Sequence, residues 1–319
     1  KNPADDEFTE LYRRGVEHFV DVGDLTAAEL AKKIHDDEID IAVDLAGHTG
    51  YNGLPALAYR PAPLQIGSVY MSTTGLKQID YFITDKILDP LGNEEFFSEK
   101  LLYMPAQFSY ARREDLPAST GAPCVKNGFV TFGTICRYSK ITDEMLAVWI
   151  EILRRVPDSK LLLRAQEFIS NRTQDELYRI MKELGADMER VIIRPAVSDY
   201  FGAISQIDIM LDGYPYVGGA TTLDALYMGV PVINFHGERH STRFGKSILA
   251  SVGLGELSVN SVEEYINTAV ALANDKETLD ILHKNLRGMF INSEALDAVK
   301  YCRLLEKKFE DILTNEGAI

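Results

Sequence analysis

The stretch from Leu211 to Gly229 constrains this chain more than any other. An apolar run at residues 207–211 feeds a glycine-rich loop, and the loop opens a helix with Thr221 and Thr222 in its first turn. Free backbone N–H groups at a helix start, together with the positive end of its dipole, make an anion site suited to a phosphate. Gly218 and Gly219 carry no Cβ and so let the backbone approach a ligand closely. The amides around Gly219 and Ala220, with Thr221 and Thr222, would cradle a diphosphate, and Asp224 would accept hydrogen bonds from ribose hydroxyls. The same residues also read as an ordinary strand–loop–helix link with a threonine cap.

The surrounding pattern favours an α/β fold. Short apolar runs alternate with amphipathic helical stretches, which is the signature of mainly parallel sheets. In the first half we expect strands at 18–22, 39–45, 64–68, 81–84 and 101–104, with a helix opened by the Thr26–Glu29 capping box and running to about Asp36. A Pro/Ser/Thr/Gly stretch at 116–123 reads as an interdomain linker. This predicts an N-terminal domain at 1–118 and a C-terminal one at 119–319, both Rossmann-like. In the second half the pattern predicts strands at 129–133, 160–163, 191–193, 207–211 and 230–234. Helices are expected at 143–155, 175–184 and around 200–205, and helix again from the last strand to about Thr314. Ligands of such sheets sit beyond the carboxyl ends of the strands at a topological switch point. The loops at 134–140, 164–166, 218–222 and 237–243 would meet there.

The chain has 319 residues, a hydrophobic content of 46% and a formal net charge of -15. That length suggests two domains with sizeable cores. The acidic balance provides no broad basic footprint for nucleic acid or anionic membrane, so neither is an expected partner. Any bound phosphate must be met by local dipoles and a few placed cations. Cys124, Cys136 and Cys302 show no C-x-x-C spacing, which argues against a disulfide framework or a structural zinc and for a reducing cytoplasm. The first residues lack a signal-peptide core, and no apolar run is long enough to span a bilayer.

Several segments resemble the catalytic region of the O-GlcNAc transferase/SPINDLY family. They are Ala58-Tyr59-Arg60-Pro61-Ala62-Pro63-Leu64-Gln65, Ile79-Asp80-Tyr81-Phe82-Ile83-Thr84-Asp85, Phe96-Phe97-Ser98-Glu99-Lys100-Leu101-Leu102-Tyr103-Met104-Pro105, Ser139-Lys140-Ile141-Thr142, Val156-Pro157-Asp158-Ser159, and Gly218 through Pro231. They occur in the family's order and cover nearly the whole chain. The resemblance implies a GT-B fold of two Rossmann-like domains, with a nucleotide-sugar donor, a UDP-sugar such as UDP-GlcNAc or a GDP-sugar, held in the C-terminal one. It implies inverting transfer to Ser or Thr hydroxyls of a protein acceptor, without metal or other cofactor. It also implies tetratricopeptide repeats upstream and a first domain that begins before Lys1, so that the N-terminal domain is expected to be incomplete.

The resemblance assigns Lys140 to neutralising the diphosphate as the glycosidic bond breaks; otherwise it is a helix-flanking surface lysine. Such a cation matters because charge develops on the leaving phosphate in the transition state. His18 aligns with a family histidine in the cleft and joins Lys140 as a catalytic candidate, or else is a satisfied core residue beside a strand; Arg137 stands where the O-GlcNAc transferases have a glutamine, offering a second phosphate contact. Arg164, just after a strand, would reach a phosphate or base, or else brace the sheet edge. Arg243 would support the site, His48 and Thr49 follow a strand on the site side, and Tyr227 and Met228 read as core. His236 and His240 have an i,i+4 spacing but no third ligand in view, so no metal site is expected.

Two segments depart from the family pattern. Where the family has a Gly-Tyr-Pro-Gly-Thr-type loop near the sugar, this chain has Val69-Tyr70-Met71-Ser72-Thr73-Thr74-Gly75. Where the O-GlcNAc transferases place Lys, His and Arg, residues 197–203 offer Ser198, Asp199 and Tyr200 with no cation. The SPINDLY branch, whose donor is GDP-fucose, also lacks that basic set. Three functions therefore stand open: a protein O-glycosyltransferase, a nucleotide-sugar-binding module that no longer catalyses, and a sugar-nucleotide epimerase on the same fold.

Overall fold

The computed structural model describes residues 6–68, 71–107, 109–293 and 297–315. The chain forms two compact units, Lys1–Gln107 with Cys302–Ile319, and Phe108–Tyr301. The stretch at 116–123 belongs to the second unit and is tied down there: Arg287 donates to the carbonyls of Leu116 (2.8 Å) and Pro117 (2.7 Å). It is a strap on that unit's surface, not a free linker.

The first unit opens with α1 (Glu7–Gly15), capped by Asp6, and α2 (Ala27–Asp36), whose expected Thr26–Glu29 capping box is formed. β1 (Ile41–Asp44), α3 (Leu54–Leu57), β2 (Leu64–Gly67), β3 (Tyr81–Thr84) and β4 (Lys100–Tyr103) follow, and the strands pair in parallel in sequence order. The strand expected at 18–22 is absent. That segment is exposed, with Phe19 and Val20 open to solvent, and none of the described strands pairs with it. Apolar content alone cannot make a strand without a neighbour to complete its hydrogen bonds.

The resemblance motifs of this unit turn out to be structural ties. Arg60 donates to the carbonyls of Pro63 and Gln78 (3.0 Å each) and to Asp80 (2.9 Å). Buried Gln65 reaches the carbonyls of Leu57 and Gln78, and Glu99 accepts from Thr73 and from the amide of Thr74. These bonds satisfy polar groups that sheet closure would otherwise strand.

The second unit comprises α4 (Cys124–Asn127), β5 (Val130–Ile135), α5 (Asp143–Arg155), β6 (Ser159–Ala165), α6 (Asn171–Glu183), β7 (Val191–Pro195), α7 (Tyr200–Ile204), β8 (Ile209–Leu211), α8 (Ala220–Tyr227), β9 (Val232–Phe235), α9 (Phe244–Ser251), β10 (Ser258–Val259), α10 (Val262–Asn274) and α11 (Lys276–Ile291). The chain returns to the first unit within α12 (Ala298–Asn315). The region after β9, expected to be wholly helical, contains β10, two residues too short to leave a periodic signal.

All six strands of this unit are parallel, in the order β10-β9-β8-β5-β6-β7. The order reverses between β5 and β8, which makes their carboxyl ends the switch point of a doubly wound sheet. Every residue of β5 is buried, as expected for a central strand covered on both faces. On one helix, Met145, Leu146, Trp149, Ile150, Ile152 and Leu153 bury the inward stripe of α5. Gly229 ends α8 in a left-handed conformation (φ 85°), where a Cβ would stand 2.6 Å from the carbonyl oxygen of His283. Only glycine meets both demands, and through it α8 is seated against α11. We expect Gly229→Ala to lower the unfolding free energy by about 2 kcal/mol or more, read from denaturant titration.

Candidate functional site

The loops after β5 and β8 meet at the switch point around one buried carboxylate. Asp212 follows β8 directly and is 8% exposed. Its Oδ1 accepts from the amides of Gly213 (2.9 Å) and Gly218 (2.8 Å), and its Oδ2 from Asn234 Nδ2 (2.9 Å). Its backbone carbonyl accepts from the Tyr265 hydroxyl (2.9 Å), which in turn takes the Trp149 indole N–H (3.3 Å). One aspartate thus folds residues 213–218 into a closed ring and fastens it to β9, α10 and α5. The chain of bonds runs on from Asn234 to Ser258 (2.7 Å), His236 (3.1 Å) and Lys246 (3.0 Å). Burial pushes the Asp212 carboxyl up to about 6, against the opposing effect of its hydrogen bonds.

Lys140 ends the single 3-10 turn Tyr138–Lys140 that follows β5. Its ammonium lies 4.0 Å from the ring centroid of Tyr216 in the 213–218 loop. A Cβ on Gly213 would stand 3.5 Å from the Lys140 carbonyl oxygen, so the two loops touch through their backbones. Burial lowers the lysine's pKa, while Cys136 and Asp212 act to raise it. Burial likewise pushes the neighbouring Cys136 thiol up to about 11. Among the described residues no carboxylate forms an ion pair with Lys140, which leaves its charge for an anion.

The first turn of α8 carries no side-chain cap on its N-cap residue, Gly219. The amides of Ala220, Thr221 and Thr222 have no intrahelical acceptor at this position in a helix. A Cβ on Gly219 would meet nothing within 4 Å, so Gly219 itself borders open space. Gly218 has a different reason to be glycine. A Cβ there would fall 2.7 Å from Thr222 Oγ1 and 3.2 Å from Asp212 Oδ1, so closure of the ring itself requires a glycine. Thr222 is buried and its hydroxyl donates to the Gly218 carbonyl (3.2 Å), so its hydroxyl is already engaged within the loop. Thr221 is half-buried and its side chain interacts with the Tyr200 hydroxyl. Asp224 is half-buried, with Oδ1 bonded to the Tyr110 hydroxyl (2.5 Å) and Oδ2 to that of Tyr200 (3.0 Å).

The remaining candidates fall into three groups. Arg137 is exposed on the turn that Lys140 closes, its carbonyl accepting the Lys140 amide (3.0 Å). Arg164 pairs in register with Arg194, and its guanidinium is bonded to the Pro195 carbonyl (3.0 Å) and to Gln206 (3.4 Å); it braces the ends of β6 and β7. Arg243 is buried at the start of α9, with the Gly237 carbonyl 3.5 Å and Glu238 3.8 Å away. His236 is engaged at both ring nitrogens by Ser258 and Lys246, and His240 stacks edge-on against Phe244 at 5.1 Å. Tyr227 and Met228 are buried in the core, as expected.

His18, His48 and Thr49 belong to the first unit. His18 is exposed on irregular backbone, His48 bonds the Thr73 carbonyl (3.1 Å), and Thr49 bonds that of Ala46 (2.8 Å). Of the divergent loop at 69–75, Val69 and Tyr70 lie outside the described residues. The structure adds Asp212, Tyr110 and Tyr216, which the sequence does not single out. The Leu-Asp pair at a strand end was a usable signal for Asp212, but nothing in the sequence connects Tyr110 to Asp224. Truncating Asp212→Ala strands two amides and an amide side chain, so we expect a loss of about 2–3 kcal/mol in denaturant titration near pH 4. Because burial raises the native pKa from 3.8 to about 6, the native state binds the extra proton. The stabilisation that Asp212 contributes should therefore shrink as pH rises through that window, and the gap between the two proteins with it.

Comparison with known proteins places this geometry in a family. The glycosyl transferase family 41 profile matches residues 3–116 and 124–305. A probable UDP-N-acetylglucosamine–peptide N-acetylglucosaminyltransferase SPINDLY from Solanum lycopersicum is 36% identical over 297 residues, covering 92% of this chain and 32% of its own length. The probable enzyme of the same kind named SEC, from Arabidopsis thaliana, is 30% identical over 324 residues, covering 95% and 32%. The chain thus spans about a third of the length of the curated relatives it matches. A structure of a Thermobaculum terrenum O-GlcNAc transferase mutant superposes with a TM-score of 0.93 at 33% identity, covering 100% of this chain and 62% of that one. The two parallel-sheet units are those of a GT-B fold, and the chain belongs to glycosyl transferase family 41.

Proposed function

We propose that this chain is the catalytic region of a protein O-glycosyltransferase that binds a nucleotide-sugar donor at the switch point of its second unit. The observation that carries this reading is that Lys140 lies against Tyr216 of the ring that Asp212 closes, and that this ring leads directly into the uncapped first turn of α8. A diphosphate in front of Gly219 would receive the amides of Ala220, Thr221 and Thr222 and the ammonium of Lys140. These groups develop their full effect as the bond from the anomeric carbon to the leaving phosphate breaks, when negative charge accumulates there. The attacking group is a Ser or Thr hydroxyl of a protein acceptor: its oxygen bonds to the anomeric carbon opposite the departing nucleoside diphosphate, which gives inversion, and its proton is released to solvent. Fixed dipoles and one ammonium supply the positive field that a divalent ion provides elsewhere, so the reaction is read as metal-independent.

Asp224, at the second turn of α8, is the ribose contact. Arg137 is free to swing toward the diphosphate from its exposed turn, whereas Arg164 and Arg243 serve as braces around the site. His18 enters this reading as the family's histidine by resemblance alone. The donor is a UDP- or GDP-sugar: the relatives' names favour UDP-GlcNAc, and the absence of a cation from 197–203 favours the other branch. Three free cysteines fit a cytoplasmic setting, and tetratricopeptide repeats upstream belong to the same proposal.

Calorimetry with UDP and GDP, paired with a transfer assay using UDP-GlcNAc and GDP-fucose in the presence of EDTA, tests the reading. Binding of one nucleotide and EDTA-resistant transfer are expected. Lys140→Ala should keep the fold and lower turnover by roughly 10²–10³-fold, the scale of one lost transition-state donor. Transfer by that variant at the parental rate would remove Lys140 from the mechanism. Binding with neither transfer nor donor hydrolysis would favour a non-catalytic nucleotide-sugar module.

A further inference from the structure

Asp224 is held from two sides by residues far from it in the chain. Tyr110 donates to its Oδ1 and Tyr200 to its Oδ2. Both phenols are themselves fixed. The Tyr110 ring lies 5.5 Å from those of Tyr227 and Phe290, and Tyr200 packs edge-on against Phe201 at 5.1 Å. The segment bearing Tyr110 is anchored again by Tyr227, whose hydroxyl bonds the amide (3.2 Å) and carbonyl (3.0 Å) of Arg113. Neither tyrosine contributes to closing the 213–218 ring, and at the α8 mouth Tyr200 meets the side chain of Thr221. Their polar ends converge on one carboxylate.

A carboxylate offers about four acceptor positions. With one on each oxygen taken by a phenol, the group cannot rotate without breaking a charge-assisted bond. The two positions left point in set directions, and a pair of adjacent hydroxyls on one sugar ring can use both. An unrestrained aspartate would instead have to be ordered when the ligand arrives.

We propose that Tyr110 and Tyr200 are positioning residues that hold Asp224 for the 2′- and 3′-hydroxyls of ribose and so make the site select ribonucleotides over 2′-deoxyribonucleotides. This rests on reading the α8 mouth as the diphosphate site. A 2′-deoxy ligand leaves one oriented acceptor unpaired in a half-buried site, and it is that unpaired group, more than the lost contact, that rejects the analogue. Burial raises the Asp224 carboxyl above its ordinary value, while the two hydroxyls act to lower it and favour the ionised acceptor.

Calorimetric titration of UDP, GDP and their 2′-deoxy forms against the wild-type chain, Tyr110→Phe, Tyr200→Phe and the double variant tests this. The wild type should prefer the ribonucleotide by about tenfold, equivalent to about 1.4 kcal/mol. The double variant should lose most of that preference by weakening ribonucleotide binding while leaving the deoxynucleotide nearly unchanged. In the transfer assay, donor KM should rise with kcat retained. Asp224→Asn, with both tyrosines in place, should lose the same preference. Equal weakening of both ligands would mean a merely structural role and overturn the proposal, as would undiminished preference in the double variant. A wild-type chain that binds no nucleotide would instead overturn the reading of the site, and this proposal with it.

Discussion

The second unit depends on a carboxylate taken out of water. Asp212 is buried at the end of β8 and fully engaged by two loop amides and one side-chain amide. Such a group is costly to bury and more costly to leave unpaired, so the surrounding donors are obliged to stay where they are. That obligation shapes the loop. Closing a ring from residue 212 to residue 218 sets the entry angle of α8, and with it the direction in which three unbonded amides face. Gly218 is glycine because the closed ring has no space for a Cβ, and Thr222 turns its hydroxyl inward to seal the ring from the helix side.

An acidic chain with a net charge of -15 cannot gather a diphosphate by a broad basic field. The positive groups at the switch point are local ones. Lys140 is half-buried over Tyr216, and the oriented amides of α8 add partial charges that cost little reorganisation when an anion arrives. The arginines placed nearby in sequence divide between display and bracing. Arg137 remains exposed, whereas Arg164 is held by a neighbouring carbonyl and Gln206, with its Nε buried and unbonded. A strand-end arginine can serve either purpose, and only the acceptors around it distinguish them.

The first unit shows how recognisable motifs can be architectural. Arg60, Gln65, Asp80 and Glu99 sit in the segments that carry the family likeness, yet their bonds go to one another's loops and carbonyls. Their presence identifies the family because the sheet of this unit closes through them.

Much of the architecture was legible in the residues themselves. The Thr26–Glu29 box, the helix at 143–155 and the buried strand runs are local signals, because capping, periodicity and burial act over a few neighbouring residues. The glycine-rich loop and its helix were legible for the same reason. The missing strand at 18–22 and the unforeseen β10 failed because strand formation depends on a partner elsewhere in the chain. The crowding around Gly218 was not legible either: its neighbours, Thr222 and Asp212, fill the space that a Cβ would need. Tertiary structure alone decided that Tyr110, 114 residues from Asp224, would share that carboxylate with Tyr200. Sequence determines which groups are able to bond, but the folding of distant strands into one sheet determines which of them come within reach.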